Sequence, residues 1–193
     1  MSIAVFLDRD GTLNVEKGYI RDVHEIELIP GAARAVRMLN DAGILAILTT
    51  NQTGAARGFY AIEHVHALNA RVGELLRQQA GAHLDAVYYC PHYDKGIVAE
   101  YTTTCNCRKP APDMIFQALK DFPFINVKAS FVVGDKATDI TFARNGGCRG
   151  ILVRTGYGEE ILSGSYQVLD AQPELICEAV MDAVQYIITV AKH

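Results

Sequence analysis

The chain has 193 residues with a formal net charge of −4, and apolar residues make up 50% of it. This length and composition are typical of a globular protein, and we expect a single domain over residues 1–193. The acidic balance argues against a nucleic-acid partner, and the lack of a long apolar run argues against a membrane partner. With no leader-like segment at the N-terminus, the expectation is a cytoplasmic enzyme.

The first predicted element is a buried strand over 3–7 that runs directly into Asp8 and Asp10. A short continuous apolar run of this kind is typical of a parallel sheet, and such sheets bind ligands beyond the carboxyl ends of their strands. Because Asp8 and Asp10 are two residues apart, they point the same way in an extended chain and repel each other unless a cation or a proton lies between them. The pattern predicts a metal site, an acid/base pair, or both.

Strands and helices alternate along the rest of the chain, after a polar flap over 15–29. Further strands are predicted over 44–48, 84–89, 130–134 and 150–153, with a short edge strand over 166–169. Helices are predicted over 32–40, 60–79, 112–119, 137–145 and 173–191. This order predicts an α/β fold, a Rossmann-like doubly wound parallel sheet of about five strands with right-handed crossovers.

Polar residues lie where the predicted strands end. They are Asp8 and Asp10, Thr50 and Asn51, Arg108 and Lys109 after a polar loop over 90–110, and Asp135 and Asp139. A single carboxylate at such a position is as easily explained as a helix N-cap. Together, however, the carboxylate, hydroxyl and lysine groups meet at one edge of the sheet. That set suits phosphoryl transfer, with a carboxylate nucleophile, a divalent cation and donors for the phosphoryl oxygens.

The polar loop over 90–110 carries a second cluster, made of Cys90, His92, Cys105 and Cys107. Three thiolates and one imidazole are a complete tetrahedral set for Zn²⁺ with no open position, which is typical of a structural site. The alternative is three ordinary cysteines and a surface histidine. A zinc ion at this cluster would hold the segment that leads into Lys109.

The segment Asp8-Arg9-Asp10-Gly11-Thr12 resembles the DxDGT signature of the haloacid dehalogenase-like (HAD-like) phosphatases. The later strand-end residues match the other three motifs of that superfamily: Thr50, Lys109, and Asp135 followed by Asp139. The resemblance implies that Asp8 is the nucleophile and forms an aspartyl-phosphate, and that Asp10 is the general acid and base. It also implies that Thr50 and Lys109 hold the phosphoryl oxygens.

The same resemblance implies a catalytic Mg²⁺ held by Asp8, the backbone carbonyl of Asp10, and Asp135. Oxygen ligands of this kind are what Mg²⁺ prefers. For Asp139 we expect an orienting role towards a metal-bound water or Lys136. Only one crossover and the flap separate the first two motifs, so no cap domain is expected, and an uncapped site is compatible with a monomer.

Within the superfamily, the chain resembles the heptose bisphosphate phosphatases. The resemblance implies a small phosphorylated sugar as substrate, removal of its C7 phosphate and retention of its C1 phosphate. It also implies a place in the synthesis of activated heptose for bacterial lipopolysaccharide or surface-layer glycans. Implied substrate-binding residues are Gly18, Tyr19, Asn51, Gln52, Thr53, Arg108 and Lys136. Position 53 carries threonine where serine is expected, so the hydroxyl is kept.

Three alternatives stay open from the sequence. A histidinol-phosphate phosphatase shares the DxDGT segment and the zinc loop, although the twelve residues between His92 and Cys105 favour the heptose family. A phosphatase acting on nucleic-acid ends is disfavoured by the acidic balance. A non-catalytic binding module held by zinc is the alternative from a different class.

Overall fold

The computed structural model describes residues 2–191 and is built around a parallel sheet of six strands in the order β3-β2-β1-β4-β5-β6. The strands are β1 Ala4–Leu7, β2 Leu45–Asn51, β3 Ala86–Cys90, β4 Phe131–Gly134, β5 Arg149–Val153 and β6 Leu175–Cys177. The α-helices are α1 Ala32–Asp41, α2 Ile62–Ala80, α3 Asp113–Asp121, α4 Ala137–Gly146, α5 Gly158–Leu162 and α6 Val180–Val190. Across residues 2–191, no helix is both long and apolar enough to span a membrane.

Strand β1 lies in the middle of the sheet and pairs in parallel with β2 on one side and β4 on the other. Successive strand residues face opposite sides of a sheet. Val5 and Leu7 accordingly pack in a layer with α1, α2 and α6, whereas Ala4 and Phe6 pack against α3 and α4. Burial on both faces explains why the strand is a continuous apolar run, and the predicted doubly wound α/β fold is confirmed.

The C-terminal third differs from the prediction. The sheet has six strands rather than about five, and its edge strand is β6 at 175–177 rather than 166–169. The last helix begins at Val180 rather than at residue 173, with the Asp182 carboxylate accepting a 3.0 Å hydrogen bond from the Ala179 N–H. Leu175 and Ile176 fit the apolar stripe of a helix equally well, but here they extend the sheet by pairing with β5.

The carboxyl ends of β1, β2 and β4 lie side by side and position the polar residues. β2 is longer than predicted and runs through Thr49–Asn51, while β3 ends at Cys90, which therefore belongs to a strand rather than to the loop after it. The flap over 15–29 contains a short 3₁₀ helix at Val23–Glu25. No cap domain is inserted between the strands within the described residues.

Candidate active site

Lys109 is the centre of the polar edge of the sheet, and only 3% of the residue is exposed. Its ammonium donates hydrogen bonds to Asp8 Oδ1 at 2.7 Å, Asp139 Oδ1 at 2.6 Å and the Thr49 carbonyl at 3.0 Å, which satisfies all three of its donors. Burial alone lowers the pKa of Lys109, but the charges of Asp139 and Asp8 outweigh burial and raise it above its ordinary value. Lys109 is therefore a fixed positive charge beside Asp8.

Asp135 at the end of β4 is fully buried, and one of its oxygens accepts a 2.9 Å hydrogen bond from the Tyr157 N–H. Burial is the main cause that raises its pKa well above the ordinary value, and the neighbouring charges of Asp8 and Asp139 add to it. A cation among these groups relieves that cost. One carboxylate oxygen from each of Asp8, Asp135 and Asp139 lies within 4.8 Å of the others.

The donor set fits Mg²⁺ on the side of the cluster that faces Asp10. Lys136 Nζ lies 3.5 Å from both the Asp10 carbonyl and Asp135 Oδ1, so these two oxygens border one space. Asp139 is committed elsewhere, because its oxygens accept from Lys109 Nζ and from the Lys136 backbone N–H at 3.0 Å. Asp139 thus holds the Lys109 ammonium and the start of α4, and the Lys136 side chain that we expected it to orient is not its partner.

Asp10 is held by a network that the sequence did not reveal. Arg9 Nε and Nη2 donate to its two oxygens at 3.2 and 2.9 Å, and the amides of Asn14 and Gln52 add hydrogen bonds of 3.0 and 2.9 Å. Burial raises the pKa of Asp10, but the Arg9 charge and these hydrogen bonds outweigh burial, so the pKa is lowered. The only signal in the sequence is an arginine between two carboxylates at the end of a buried strand.

The side-chain amides of Asn51 and Gln52, which the sequence predicts to bind substrate, already form hydrogen bonds with neighbouring residues of the site. Gln52 donates to Thr50 Oγ1 and Asp10 Oδ2 at 2.9 Å and accepts from Arg9 Nη2. Asn51 accepts a 3.0 Å hydrogen bond from the Lys109 N–H and donates to the Lys109 carbonyl at 3.1 Å. These side chains line the cleft but serve to fix Thr50, Asp10 and Lys109 in place.

The carboxylates open into a cleft of about 310 Å³ that also brings together the remaining predicted residues. Its lining includes Gly18, Tyr19, Thr53, Arg108 and Lys136. The Tyr19 hydroxyl lies 3.4 Å from Thr53 Oγ1, which joins the flap to the end of β2. The flap, the β2 end and the segment after Cys107 therefore all contribute to the cleft.

One wall of the cleft carries two guanidinium groups. Arg57 Cζ lies 4.0 Å from the ring centre of Tyr93 and Arg108 Cζ lies 5.5 Å from it. Arg57 Nε and Arg108 Nη1 are both buried and have no hydrogen-bond partner among residues 2–191. A buried donor without a partner is costly, so this wall is suited to an anion that supplies acceptors.

The segment after Gly156 forms another wall of the cleft, which the sequence did not predict. Tyr157, Tyr166 and Gln167 line the cleft, and the two tyrosine rings stack with centres 4.5 Å apart at an angle of 12°. Lys136 Nζ lies 4.9 Å from the Tyr157 ring centre and 3.1 Å from the Glu16 carboxylate. The segment after Gly156 therefore closes the cleft beside Lys136.

The four donor atoms of the cysteine–histidine cluster lie within 4.8 Å of one another. Cys107 Sγ is 2.9 Å from Cys90 Sγ and 3.3 Å from Cys105 Sγ, and His92 Nδ1 is 3.2 Å from Cys107 Sγ. These sulfur separations are well beyond the roughly 2.05 Å of a disulfide, and the cysteines are free. Three thiols and one imidazole nitrogen around one point fit a structural Zn²⁺.

Comparisons with known proteins agree with this geometry. A family model described as HAD-hydrolase-like matches residues 106–183. A D-glycero-D-manno-heptose-1,7-bisphosphate 7-phosphatase of Thermosynechococcus vestitus is 52% identical over 189 residues, covering 96% of this chain and 95% of that protein. A D-glycero-beta-D-manno-heptose-1,7-bisphosphate 7-phosphatase of Haemophilus ducreyi is 38% identical and covers 95% of this chain and 97% of that protein.

Among solved structures, the D,D-heptose 1,7-bisphosphate phosphatase of B. bronchiseptica complexed with magnesium and phosphate superposes with a TM-score of 0.83. It is 27% identical to this chain, and the alignment covers 97% of this chain and 99% of that one.

The chain has a parallel sheet, and carboxylates from the end of β1 and from α4 contact one buried lysine. Together with these matches, this arrangement defines a HAD-like hydrolase of phosphoric monoesters. More narrowly, the chain belongs to the family of the D-glycero-D-manno-heptose-1,7-bisphosphate 7-phosphatases. The resemblance found in the sequence is confirmed, and the non-catalytic zinc module finds no support.

Proposed function

We propose that this phosphatase hydrolyses the C7 phosphate of D-glycero-D-manno-heptose 1,7-bisphosphate and releases heptose 1-phosphate for the synthesis of ADP- or GDP-heptose. The observation that carries the proposal is the pairing of a nucleophile site with a second anion site. Asp8 and Lys109 line the same cleft as Arg57 and Arg108, whose buried guanidinium donors have no hydrogen-bond partner among the described residues. A bisphosphate supplies one phosphate to the nucleophile site and one to the second anion site.

The reaction has two steps on this arrangement. Asp8 attacks phosphorus in line and forms an aspartyl-phosphate, while Asp10 gives its proton to the departing C7 oxygen. Asp10 then takes a proton from the water that attacks the phosphorus and frees Asp8. The Arg9 contact favours the ionised form of Asp10 needed for the second step. In the first step, the negative charge of the incoming phosphate favours the protonated form.

The Thr50 hydroxyl donates to the phosphoryl oxygens, and the Lys109 ammonium attracts them by its positive charge. Both groups are buried and held in place before substrate arrives. When bound by Asp8, Asp135 and the Asp10 carbonyl, Mg²⁺ neutralises negative charge on the phosphoryl group. Support for Mg²⁺ comes from the oxygen-only donor set and from the magnesium in the B. bronchiseptica structure. We propose Zn²⁺ for the cysteine–histidine cluster, where it fixes the chain that enters Arg108 and Lys109.

Specificity comes from loops, because the cleft has no cap over it. The planar guanidinium of Arg108 binds the C1 phosphate. The sugar is enclosed by Gly18, Tyr19, Thr53 and Lys136. Asn51 and Gln52 act on substrate mainly by holding Lys109 and Thr50. We further propose that the enzyme is a monomer, with which an uncapped site is compatible. We place it in the cytoplasm, since the five free cysteines suit a reducing compartment.

The test is a comparison of kcat/KM for heptose 1,7-bisphosphate and for histidinol phosphate, each with Mg²⁺. We expect the heptose bisphosphate to be preferred by at least about 100-fold, because histidinol phosphate offers a cationic amine to two arginines. A preference for histidinol phosphate contradicts the proposed substrate. Measuring each C1 anomer in the same assay then separates the lipopolysaccharide route from the surface-layer route.

A further inference from the structure

We propose that Asn69 on α2 is a positioning residue for Asp10 and acts through the buried guanidinium of Arg9. This inference rests on the acid/base role proposed above for Asp10. Neither Asn69 nor Arg9 is among the residues that line the cleft.

Arg9 fixes the Asp10 carboxylate in a single orientation. Its Nε and Nη2 groups contact one Asp10 oxygen each, at 3.2 and 2.9 Å, which is a two-point grip on a planar group. A carboxylate held at one point rotates about its last torsion, whereas one held at two points keeps its plane. The plane of Asp10 decides whether its oxygen faces the leaving group.

Arg9 is in turn held from the side away from Asp10. Its Nη1 donates a 2.9 Å hydrogen bond to Asn69 Oδ1, and its Nη2 donates a 2.9 Å hydrogen bond to Gln52 Oε1. Arg9 is 2% exposed and Asn69 is 6% exposed, so water does not compete for these contacts. Among the described residues, Asn69 is the one side-chain hydrogen-bond partner of Arg9 that lies on a helix, because Asp10 and Gln52 follow β1 and β2. It therefore ties Asp10 to the rigid α2.

A positioning role and a merely structural role differ in how they depend on the leaving group. An alkoxide needs a proton as it departs, so misplacing Asp10 slows its release. A nitrophenolate is a weak base and departs without a proton, so misplacing Asp10 leaves its release in the first turnover nearly unchanged. General damage to the fold slows both.

The experiment compares first-turnover rates for heptose bisphosphate and p-nitrophenyl phosphate in rapid mixing with excess enzyme and Mg²⁺. For Asn69→Leu, which removes the acceptor at similar size, we expect the sugar phosphate to react about 10-fold or more slowly. We expect the first-turnover rate of p-nitrophenol release to stay within about 2-fold of wild type. In separate steady-state assays, KM for the sugar phosphate should change by no more than about 2-fold. Asn69→Asp keeps an oxygen at the same place and should restore the sugar phosphate rate.

Two controls keep the result readable. Gln78→Leu makes the same kind of change on α2 at an exposed amide whose contact is Glu74, and it should leave both rates unchanged. If thermal melting shows that Asn69→Leu is not folded, Asn69→Ala takes its place.

The proposal is overturned if the Asn69 variant slows both substrates equally, slows neither, or is not rescued by Asn69→Asp. Failure of the proposed function would give a different pattern of substrates turned over by the wild-type enzyme. In that case the wild-type enzyme turns over p-nitrophenyl phosphate and a simple alkyl phosphate such as glycerol 3-phosphate but not the heptose bisphosphate. The comparison of leaving groups is then made with glycerol 3-phosphate.

Discussion

Lys109 Nζ donates a 2.7 Å hydrogen bond to Asp8 Oδ1 although the two residues are 101 positions apart in the chain. The contact holds the nucleophile's carboxylate still and keeps a positive charge where the phosphoryl oxygens arrive. The same ammonium donates a 2.6 Å hydrogen bond to Oδ1 of Asp139, which lies on α4. Catalytic charges that are fixed before substrate binds need no reorganisation during the reaction.

Replacing Asp8 by asparagine should abolish turnover. The amide keeps the shape of the side chain but is a poor nucleophile, so we expect phosphate release to fall by at least about 1,000-fold. The measurement is Mg²⁺-dependent phosphate release from the heptose bisphosphate. Asp94→Asn, a matched change at an exposed carboxylate, should be as active as wild type. An Asp8→Asn enzyme with wild-type activity would show that another group attacks phosphorus.

Replacing Lys109 by methionine should destabilise the fold as well as remove activity. The change leaves Asp8 and Asp139 buried without their shared cation, and breaking a buried ion pair typically costs about 3–5 kcal/mol. Urea denaturation without added Mg²⁺ measures the free energy of unfolding. Lys95→Met, at an exposed lysine, should change it by less than about 0.5 kcal/mol. Equal stabilities of the two variants would contradict the described ion pairs.

Replacing Gly156 by alanine should weaken Mg²⁺ binding. Gly156 has a φ of +60°, and a Cβ there overlaps the Asp135 carboxylate and lies 2.7 Å from the Gly11 Cα. Gly164→Ala is the matched control, because Gly164 has a φ of +74° with no atom within 4 Å of the added Cβ. Both variants carry backbone strain of about 1 kcal/mol. Only Gly156→Ala should raise the Mg²⁺ concentration needed for half-maximal activity, by about 10-fold or more.

Replacing Arg57 by alanine should affect a bisphosphate more than a monophosphate. Arg57 Nε is buried without a partner in the wall that we propose for the C1 phosphate. A hydrogen bond to a charged group contributes about 1.5–3 kcal/mol, so we expect kcat/KM for heptose 1,7-bisphosphate to fall about 10- to 100-fold. The same constant for heptose 7-phosphate should fall less than about 3-fold. Arg34→Ala, at an exposed arginine, serves as the control, and equal losses on both substrates would remove Arg57 from the specificity site.

Removing zinc should lower both the melting temperature and the activity, because the cluster orders the chain that enters Lys109. Thiol labelling identifies the residues involved. With metal bound, none of the cluster thiols should react, and after chelation Cys90, Cys105 and Cys107 should become reactive. Cys148 and Cys177 should stay slow in both states, since burial raises the pKa of their thiols to about 12 and about 11. An unchanged melting temperature after confirmed metal loss would mean that the cluster is not structural.

The sequence predicts the core of the fold well because the strands up to β5 are short apolar runs, each followed by polar residues that carry chemistry. Asp8, Thr50, Lys109 and Asp135 are recognisable since each follows such a run or a distinctive loop. The C-terminal third carries weaker information. A three-residue edge strand has too few residues to show a period, so the sequence pattern places Leu175–Cys177 in the predicted helix over 173–191.

The support around the catalytic residues is the part that sequence patterns do not contain. Arg9 and Asn69 are 60 positions apart, and their contact exists only after α2 packs over the sheet. Tyr157 and Tyr166 likewise reach the cleft through the turn of α5, which has no clear apolar stripe. Such residues carry no motif of their own because they act by holding a neighbour.

The strand order also has a consequence for how the enzyme is made. Strand β1 is synthesised before the other described strands, yet it lies between β2 and β4, and β4 is synthesised more than a hundred residues later. Asp8 gains Lys109 and then Asp139 only after both have emerged. The nucleophile is thus translated before the partners that complete its site, so a nascent chain that stops short of Asp139 has the DxDGT segment but no assembled active site.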